Sequence, residues 1–390
     1  MILLKPYQGT RAVINLDHLE HNYRCLTSFV KQKTKICCVI KANGYGHGSL
    51  ELAKLYEKLG ADYFAVATAS EAMELRKNKI DLPIVCLGYV PESSYEELIK
   101  TRVDIPVFSY EVARRLSQVA GAIGECADIH IKIDSGMSRI GFQCTQESIR
   151  DIERIRELPN LYFKGIFTHF ARADEVQRET TLQQFDRFMS MVSLLEAEDI
   201  HFEIRHCCNT AGTVYYPEFH LDMVRLGISL YGYYPSDDVD KEKVELHPAM
   251  SLYSCLSHIK KLERARGIGY GHKYTVTDDY ELIGTVPIGY ADGFTRMLNN
   301  KADFEICGEC CEVVGSICMD QCMVKLNKDG DYRIGETVTI YSDKPGFGAD
   351  RLARRLGTVS YEIICMLSRR VPRIYTRENK VVKVIDYLRL

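Results

Sequence analysis

The sequence has no tryptophan, no surplus of either charge and no long apolar run, and each shortage removes a class of protein. Fifty Lys and Arg stand against 53 Asp and Glu, a formal net charge of −3. A balance that close to zero gives nucleic acid or an anionic membrane no electrostatic hold. No apolar stretch approaches the roughly 18 residues of a membrane-spanning helix. The apolar start Met1–Leu4 is interrupted by Lys5 and Pro6, too early for an export signal. The expectation is a cytoplasmic protein with neither nucleic acid nor membrane as partner, which leaves small neutral or zwitterionic ligands open.

What is present is the usual globular mix, 46% hydrophobic and 26% charged residues over 390 positions. At roughly 150 residues per domain that length gives two to three domains. Sulfur and phenol are the conspicuous surplus, with 15 Cys and 24 Tyr. An odd number of cysteines cannot all pair, and in a reducing compartment clusters mean metal, redox chemistry or core filling. The most metal-like set is Cys307, Cys310, Cys318 and Cys322, with Cys311 alongside. Its spacing does not fit a zinc site, because Cys307 and Cys310 flank a Gly-Glu turn. No metal is expected, and Cys37, Cys38 and Cys207 read as small hydrophobes in strands.

Eight short apolar, β-branched runs recur through the first 230 residues: 35–40, 63–67, 84–87, 105–108, 128–133, 163–168, 202–207 and 223–226. Between them lie helical patterns, clearest at Leu182, Phe185, Phe188, Val192 and Leu195. Near-continuous apolar strands alternating with helices fit a parallel sheet covered by helices, and eight of them fit a (β/α)8 TIM-type barrel. A doubly wound open sheet is the alternative. After about His247 the pattern turns to strands at 252–259, 282–288, 304–317, 322–326 and 337–341, with one helix near 350–356. Asp278-Asp279, Cys307–Cys310 and Lys328–Gly330 read as hairpin connections. The acidic stretch Ser236–Glu245 reads as a linker, giving a barrel domain at 1–245 and a mostly β C-terminal domain at 246–390.

Reactive groups of such a barrel lie at the C-terminal ends of its strands. Lys41 ends the first strand and is followed by Ala42-Asn43-Gly44-Tyr45-Gly46-His47-Gly48. Burial there lowers a lysine pKa and frees the amine for Schiff-base chemistry, although a lysine reaching to the rim is an equal reading. The glycine-rich turn has neither dinucleotide nor Walker spacing. Asn209-Thr210-Ala211-Gly212 and Gly227-Ile228-Ser229, after strands seven and eight, are small-residue loops of the kind that hold phosphate in barrels, or else plain tight turns. A strand-end lysine and a phosphate loop on one face point to pyridoxal 5'-phosphate (PLP). Arg225, ending strand eight, would then face the pyridine nitrogen, bind a carboxylate, or form a surface ion pair.

The residues resemble the alanine racemase family. The run Ile40–Gly48 is similar to its PLP-attachment motif. The likeness continues through Lys132–Gly141, Thr168–Ala171, His206–Thr210 and Arg225–Ile228, then Gly269–Gly271, Ile288–Gly293, Ile317–Gln321 and Ser360–Glu362. Nine motifs in family order span essentially the whole chain. The resemblance implies an isomerase that interconverts L- and D-alanine and supplies D-alanine for peptidoglycan. It also implies a head-to-tail homodimer with shared active sites. Lys41 would bind PLP and serve the D face; Tyr270 from the partner subunit would serve the L face. Arg139 and the backbone at the partner's Met319 would hold the substrate carboxylate. Tyr45, Asn209, Thr210, Gly227, Ile228 and Tyr361 would surround the phosphate. His169 would link Arg225 to Tyr270, with Asp320 and Tyr290 in support. Lys132 matches a lysine often carbamylated in the family, where the added charge steadies Arg139. Thr210 and Gly269 depart from the serines common at those places. A serine-preferring or broad-specificity racemase is the alternative within the family. A PLP-dependent decarboxylase of the same fold type is a further rival, as is a non-catalytic PLP-binding barrel, whose members lack a β domain.

Overall fold

A computed structural model of the protein describes residues 9–389; the Met1–Leu4 start with Lys5 and Pro6 lies outside them. Eight parallel strands, Lys35–Val39, Tyr63–Val66, Ile84–Cys86, Val103–Val107, Ala127–Asp134, Leu161–Phe167, Ile204–His206 and Met223–Leu226, carry the eight apolar runs. They neighbour one another in chain order, and the eighth pairs with the first, Arg225 opposite Cys37. Between the seventh and eighth, Asp222 N–H reaches Arg205 O at 3.1 Å and Arg225 N–H reaches Cys208 O at 3.0 Å. A doubly wound sheet would keep two edges and a reversal of strand order. This sheet curls almost closed, as a (β/α)8 barrel does.

Three of the helices that wrap it start at hydroxyl caps, Thr68, Ser109 and Thr145. Thr68 and Glu71 form a capping box, Thr68 Oγ1 accepting the Glu71 N–H at 3.3 Å. Along Glu179–Ala197 the inward row is Thr181, Gln184, Phe188, Met191, Val192 and Leu195. Leu182, expected on that face, is 40% exposed. Gln184 takes the inward place because its amide has work there, accepting the Ala171 N–H at 2.9 Å and donating to His169 O at 3.3 Å.

The second domain is built on a ten-stranded sheet in the order His258–Glu263, Tyr280–Val286, Cys322–Leu326, Glu309–Val314, Asp303–Ile306, Thr337–Tyr341, Met250–Cys255, Arg11–Asn15, Arg373–Arg377, Lys380–Ile385. Arg11–Asn15 joins this sheet rather than the barrel, parallel to Arg373–Arg377. The expected run 252–259 breaks into two strands. Cys307-Gly308 does close a hairpin, since Ile306 pairs with Glu309 and both turn residues have positive φ, 53° and 82°. Asp278-Asp279 and Lys328–Gly330 do not, because the strands before and after them are not neighbours in the sheet. Besides Ala349–Leu356 there is a second short helix, Ser360–Cys365, which packs onto the Lys41 loop.

All fifteen thiols are free, and seven are buried, among them Cys37, Cys38, Cys207, Cys311 and Cys322. Among the described residues one potential metal-ligand trio occurs, His21, Glu245 and His247, and it contains no cysteine. Its imidazoles are stacked at 4.2 Å and 10°. In-plane nitrogen lone pairs of parallel rings do not converge on one ion. Among the described residues no helix is long and apolar enough to cross a membrane.

Candidate active site

Lys41 stands one residue past the end of the first barrel strand, after Ile40, and opens a turn of unusual hand. Ala42, Asn43, Gly44 and Tyr45 all have positive φ, 52°, 54°, 59° and 49°. Four successive left-handed residues are costly for L-amino acids and occur where surrounding structure enforces them. From the barrel, Glu71 enforces this one: one carboxylate oxygen accepts the Ala42 N–H at 2.6 Å, the other the Ala67 and Thr68 N–H groups at 2.8 and 3.3 Å. From the second domain, the fully buried Arg373 donates to Gly46 O at 3.0 Å, and Tyr375 Oη donates to His47 O at 2.8 Å. The amine of Lys41 is free of hydrogen bonds and ion pairs among the described residues. Its pKa is lowered chiefly by burial and then by the Arg139 guanidinium, with a lesser push from Arg225, against opposing effects of Cys365 and Glu71.

Arg225 lies one residue before the end of the eighth strand and is buried. Its Nη1 donates to His206 Nδ1 at 2.8 Å, and its Nη2 to Thr168 O at 2.8 Å, Cys207 O at 3.0 Å and His169 Nδ1 at 3.3 Å. Nε is the guanidinium donor left without a partner among the described residues. Burial and the Arg225 charge hold His169 and His206 well below the ordinary histidine range, so both rings are neutral. Lys132, on the fifth strand, donates to Ile133 O at 2.6 Å, and burial together with Arg225 lowers its pKa to about 7. Arg139 is exposed on the turn after that strand and acts electrostatically on Lys41, Lys132, His169 and Arg225. Lys41, Lys132, Arg139 and Arg225 thus share one strongly cationic mouth, suited to anionic groups.

An anion cradle lies beside it. Thr210 Oγ1 accepts the Gly227 N–H at 2.8 Å. A Cβ on Gly227 would sit 3.5 Å from Tyr45 Oη and 3.7 Å from Thr210 Oγ1, so two hydroxyls converge over a residue with no side chain. The Tyr361 ring is 6.1 Å from that of Tyr45, and Ile228 is the next residue of the cradle wall. Asn209 caps the following turn, its side chain accepting the Gly212 N–H at 2.8 Å, and thereby sets Thr210 in place. These residues fit PLP: an unpaired amine, an orphan guanidinium donor and a hydroxyl cradle share one barrel mouth.

The family comparisons carry the same argument. The family model described as alanine racemase, N-terminal domain, matches residues 14–235, and the C-terminal domain model matches 249–375. The chain belongs to the alanine racemase family. It is 43% identical to alanine racemase of Clostridium novyi (strain NT), over 99% of this chain and all of the relative. Among solved structures it resembles alanine racemase of Clostridium difficile 630, with a TM-score of 0.93 and 47% identity over 97% of this chain and 99% of that one. It also resembles alanine racemase from Bacillus anthracis with bound L-Ala-P, with a TM-score of 0.93 and 33% identity over 98% of this chain and 99% of that one. Membership makes the protein a PLP-dependent isomerase by class.

Not every residue matched to alanine racemase motifs meets Lys41 within one chain. Tyr270 is 75% exposed and Met319 52%, and Tyr290 and Asp320 are exposed beside Met319. Tyr270 is braced through its backbone, whose carbonyl accepts from Ser316 Oγ at 2.8 Å. Asp320 pairs with Arg370 at 2.8 Å. No contact between His169 and Tyr270 exists within the chain among the described residues. A cavity of about 770 Å³ lined by Tyr233, Pro235 and Asp350 among others contains none of the Lys41 constellation.

Sequence reasoning missed Glu71, Arg373 and Tyr375, whose backbone acceptors and donors carry no sequence signature. It also missed Asp104 and His130. There a signal existed: Asp128, His130 and Lys132 alternate along the fifth strand, the period-2 mark of one face turned into the barrel.

Proposed function

We propose that this protein interconverts L- and D-alanine with PLP bound at Lys41, using one base on each face of the substrate. The observation that carries the reading is the joint presence, at one barrel mouth, of the unpaired and depressed Lys41 amine and the free Nε of Arg225. When bound, PLP lends its ring as an electron sink that lowers the cost of removing the Cα proton. Tyr45, Thr210, Gly227, Ile228 and Tyr361 hold its phosphate. Arg225, with its Nε unpaired, would hold the pyridine side of the cofactor; a guanidinium does not surrender its proton, so the ring would stay a moderate sink suited to proton exchange. Lys41 moves the proton on the D side. Tyr270 of a second copy moves it on the L side, since inversion needs acceptors on opposite faces.

Arg139 and the Met319 backbone of that second copy bind the substrate carboxylate. His169, neutral and in contact with Arg225, reaches the same Tyr270. Asp320 and Tyr290 support the Met319 turn. The assembly is therefore a head-to-tail homodimer, and the exposure of Tyr270 and Met319 in one chain supports it. The barrel through residue 245 supplies the cofactor side, and residues 246–390 supply the second copy's wall. A Lys132 amine with a pKa near 7 is partly neutral at physiological pH, as addition of CO2 requires. Its carbamate would place a negative charge against Arg139. Free thiols throughout support a cytoplasmic location, and supply of D-alanine for peptidoglycan is the role this reading gives the enzyme.

The test is incubation with L-alanine in deuterated water, which should yield D-alanine deuterated at Cα without release of CO2. Borohydride reduction should attach the cofactor to Lys41. Release of CO2, or a label elsewhere, would overturn the reading. Running the assay across small amino acids, serine included, defines substrate breadth.

A further inference from the structure

We propose that Asp104 and His130 are positioning residues for Arg225, acting through His206 by fixing the direction of a buried hydrogen-bond chain. The proposal rests on the PLP reading above. Its geometry is a line across the barrel lumen. Arg225 Nη1 lies 2.8 Å from His206 Nδ1, His206 Nε2 lies 3.0 Å from His130 Nδ1, and His130 Nε2 lies 3.1 Å from Asp104 Oδ2. Beyond Asp104, Lys164 donates to Oδ1 at 2.8 Å and reaches Asp128 at 3.2 Å. Asp104, His130 and His206 are each fully buried. They come from the fourth, fifth and seventh strands, and Arg225 from the eighth, so the chain ties the lumen to the mouth.

The protonation of every link follows from its two ends. A guanidinium only donates, so His206 Nδ1 must accept and its proton must sit on Nε2. That N–H donates to His130 Nδ1, which places the His130 proton on Nε2, facing the carboxylate. Both imidazoles are neutral, and all three bonds point from Arg225 toward Asp104. The opposite direction would set an N–H of His206 against an N–H of Arg225 where both residues are buried, an expensive arrangement for buried donors. Asp104 anchors the favourable direction because it only accepts. Burial works to raise its pKa, but the hydrogen bond from His130 and the charge and hydrogen bond of Lys164 oppose that, and its pKa is lowered, so it stays ionised. With Nη1 fixed by this chain and Nη2 by Thr168 and Cys207, the guanidinium has one rotation left, the one that presents Nε at the mouth. Stacking of Phe167 on His206 at 4.8 Å keeps that ring in plane.

The perturbation that tests direction rather than packing is Asp104→Asn. Lys164 occupies one side, so the new amide turns its oxygen there and its NH2 toward His130, reversing the chain and ending in a donor–donor clash at Arg225. Holo protein should keep one PLP per chain. It should also show a shifted absorption maximum and a racemisation kcat lower by about tenfold, the rate equivalent of one hydrogen bond to a charged group. In Asp104→Asn/Lys164→Met the amide can turn round, and the spectrum and most of the rate should return. A single variant with the parental spectrum and kcat, or a double variant no better than the single, would overturn the proposal. Independently of any variant, 15N-histidine spectra of the parent protein should show His130 and His206 both as neutral Nε2–H tautomers; any other tautomer refutes it. Parent protein with these tautomers but no racemisation would overturn the racemase reading and leave the direction of the chain standing.

Discussion

Removing the Glu71 carboxylate should loosen the turn that carries Lys41, and the size of the effect can be worked from the contacts. Ala42, Asn43 and Tyr45 are non-glycine residues in the left-handed region. At about 1–2 kcal/mol each they store on the order of 3–6 kcal/mol that other contacts must offset. Glu71 contributes a charge-assisted acceptor to the Ala42 N–H at 2.6 Å and completes the capping box at Thr68. The first is worth about 1.5 kcal/mol at a half-exposed site and the second about 1 kcal/mol, so Glu71→Ala should cost about 2–3 kcal/mol. Glu71→Gln should cost nearly as much. Its amide NH2 must face either Ala42 N–H or the Ala67 and Thr68 N–H groups, and all three are donors. Urea unfolding of apo protein measures the stability loss, and PLP retention after dialysis measures the displacement of Lys41. A Glu71→Gln variant with the parental urea midpoint and cofactor retention would refute the reasoning, because an isosteric swap leaves packing unchanged.

Gly48 has φ of 100°, and a Cβ there would lie 2.0 Å from Tyr375 Oη. Gly48→Ala should break the Tyr375 bond to His47 O and lower the melting temperature, with a loss of about 2–4 kcal/mol from strain and the lost bond combined; an unchanged melting temperature would count against the clamp. Tyr270→Phe should leave stability within about 0.5 kcal/mol, as its ring is 75% exposed in the chain, yet remove exchange of the Cα proton from L-alanine. Retained exchange would displace it as the L-side base. Stability should also fall with acidity through His47, fully buried, whose pKa burial lowers to about 3. Its folded pKa lies below its unfolded value near 6.5, so the unfolded state binds the extra proton. The contribution is complete above about pH 6.5 and is lost toward pH 3 at about 1.4 kcal/mol per unit. Urea unfolding at pH 7.5, 6 and 5 checks the slope, and His47→Asn should reduce it.

Much of this was legible in the chain. Strand-length apolar runs at 35–40, 63–67 and their six successors announced a barrel because a parallel strand buried on both faces has no polar face to show. Lys41, Arg225 and the Thr210 and Gly227 loops could be placed at one end because that end is where barrel strands stop. Leu182 failed because helical spacing cannot say that a buried Gln184 has backbone partners worth more than one more leucine. The second domain was legible only as strands. That Arg11–Asn15 would slip between Met250–Cys255 and Arg373–Arg377 depends on pairings across more than 230 residues of sequence.

By itself the sequence determined the local geometry and the chemical inventory: which segments are strands, where they end, and which residues carry an amine, a guanidinium or a hydroxyl there. Periodicity and turn chemistry are short-range, so they survive in one dimension. Only the tertiary structure decided which groups meet. It bent the Lys41 turn left-handed by closing Glu71, Arg373 and Tyr375 around it, and it threaded Asp104, His130 and His206 into one directed line ending on Arg225. Those outcomes rest on hydrogen bonds between residues far apart in the chain, and a hydrogen bond's energy depends on distances and angles that no local pattern contains.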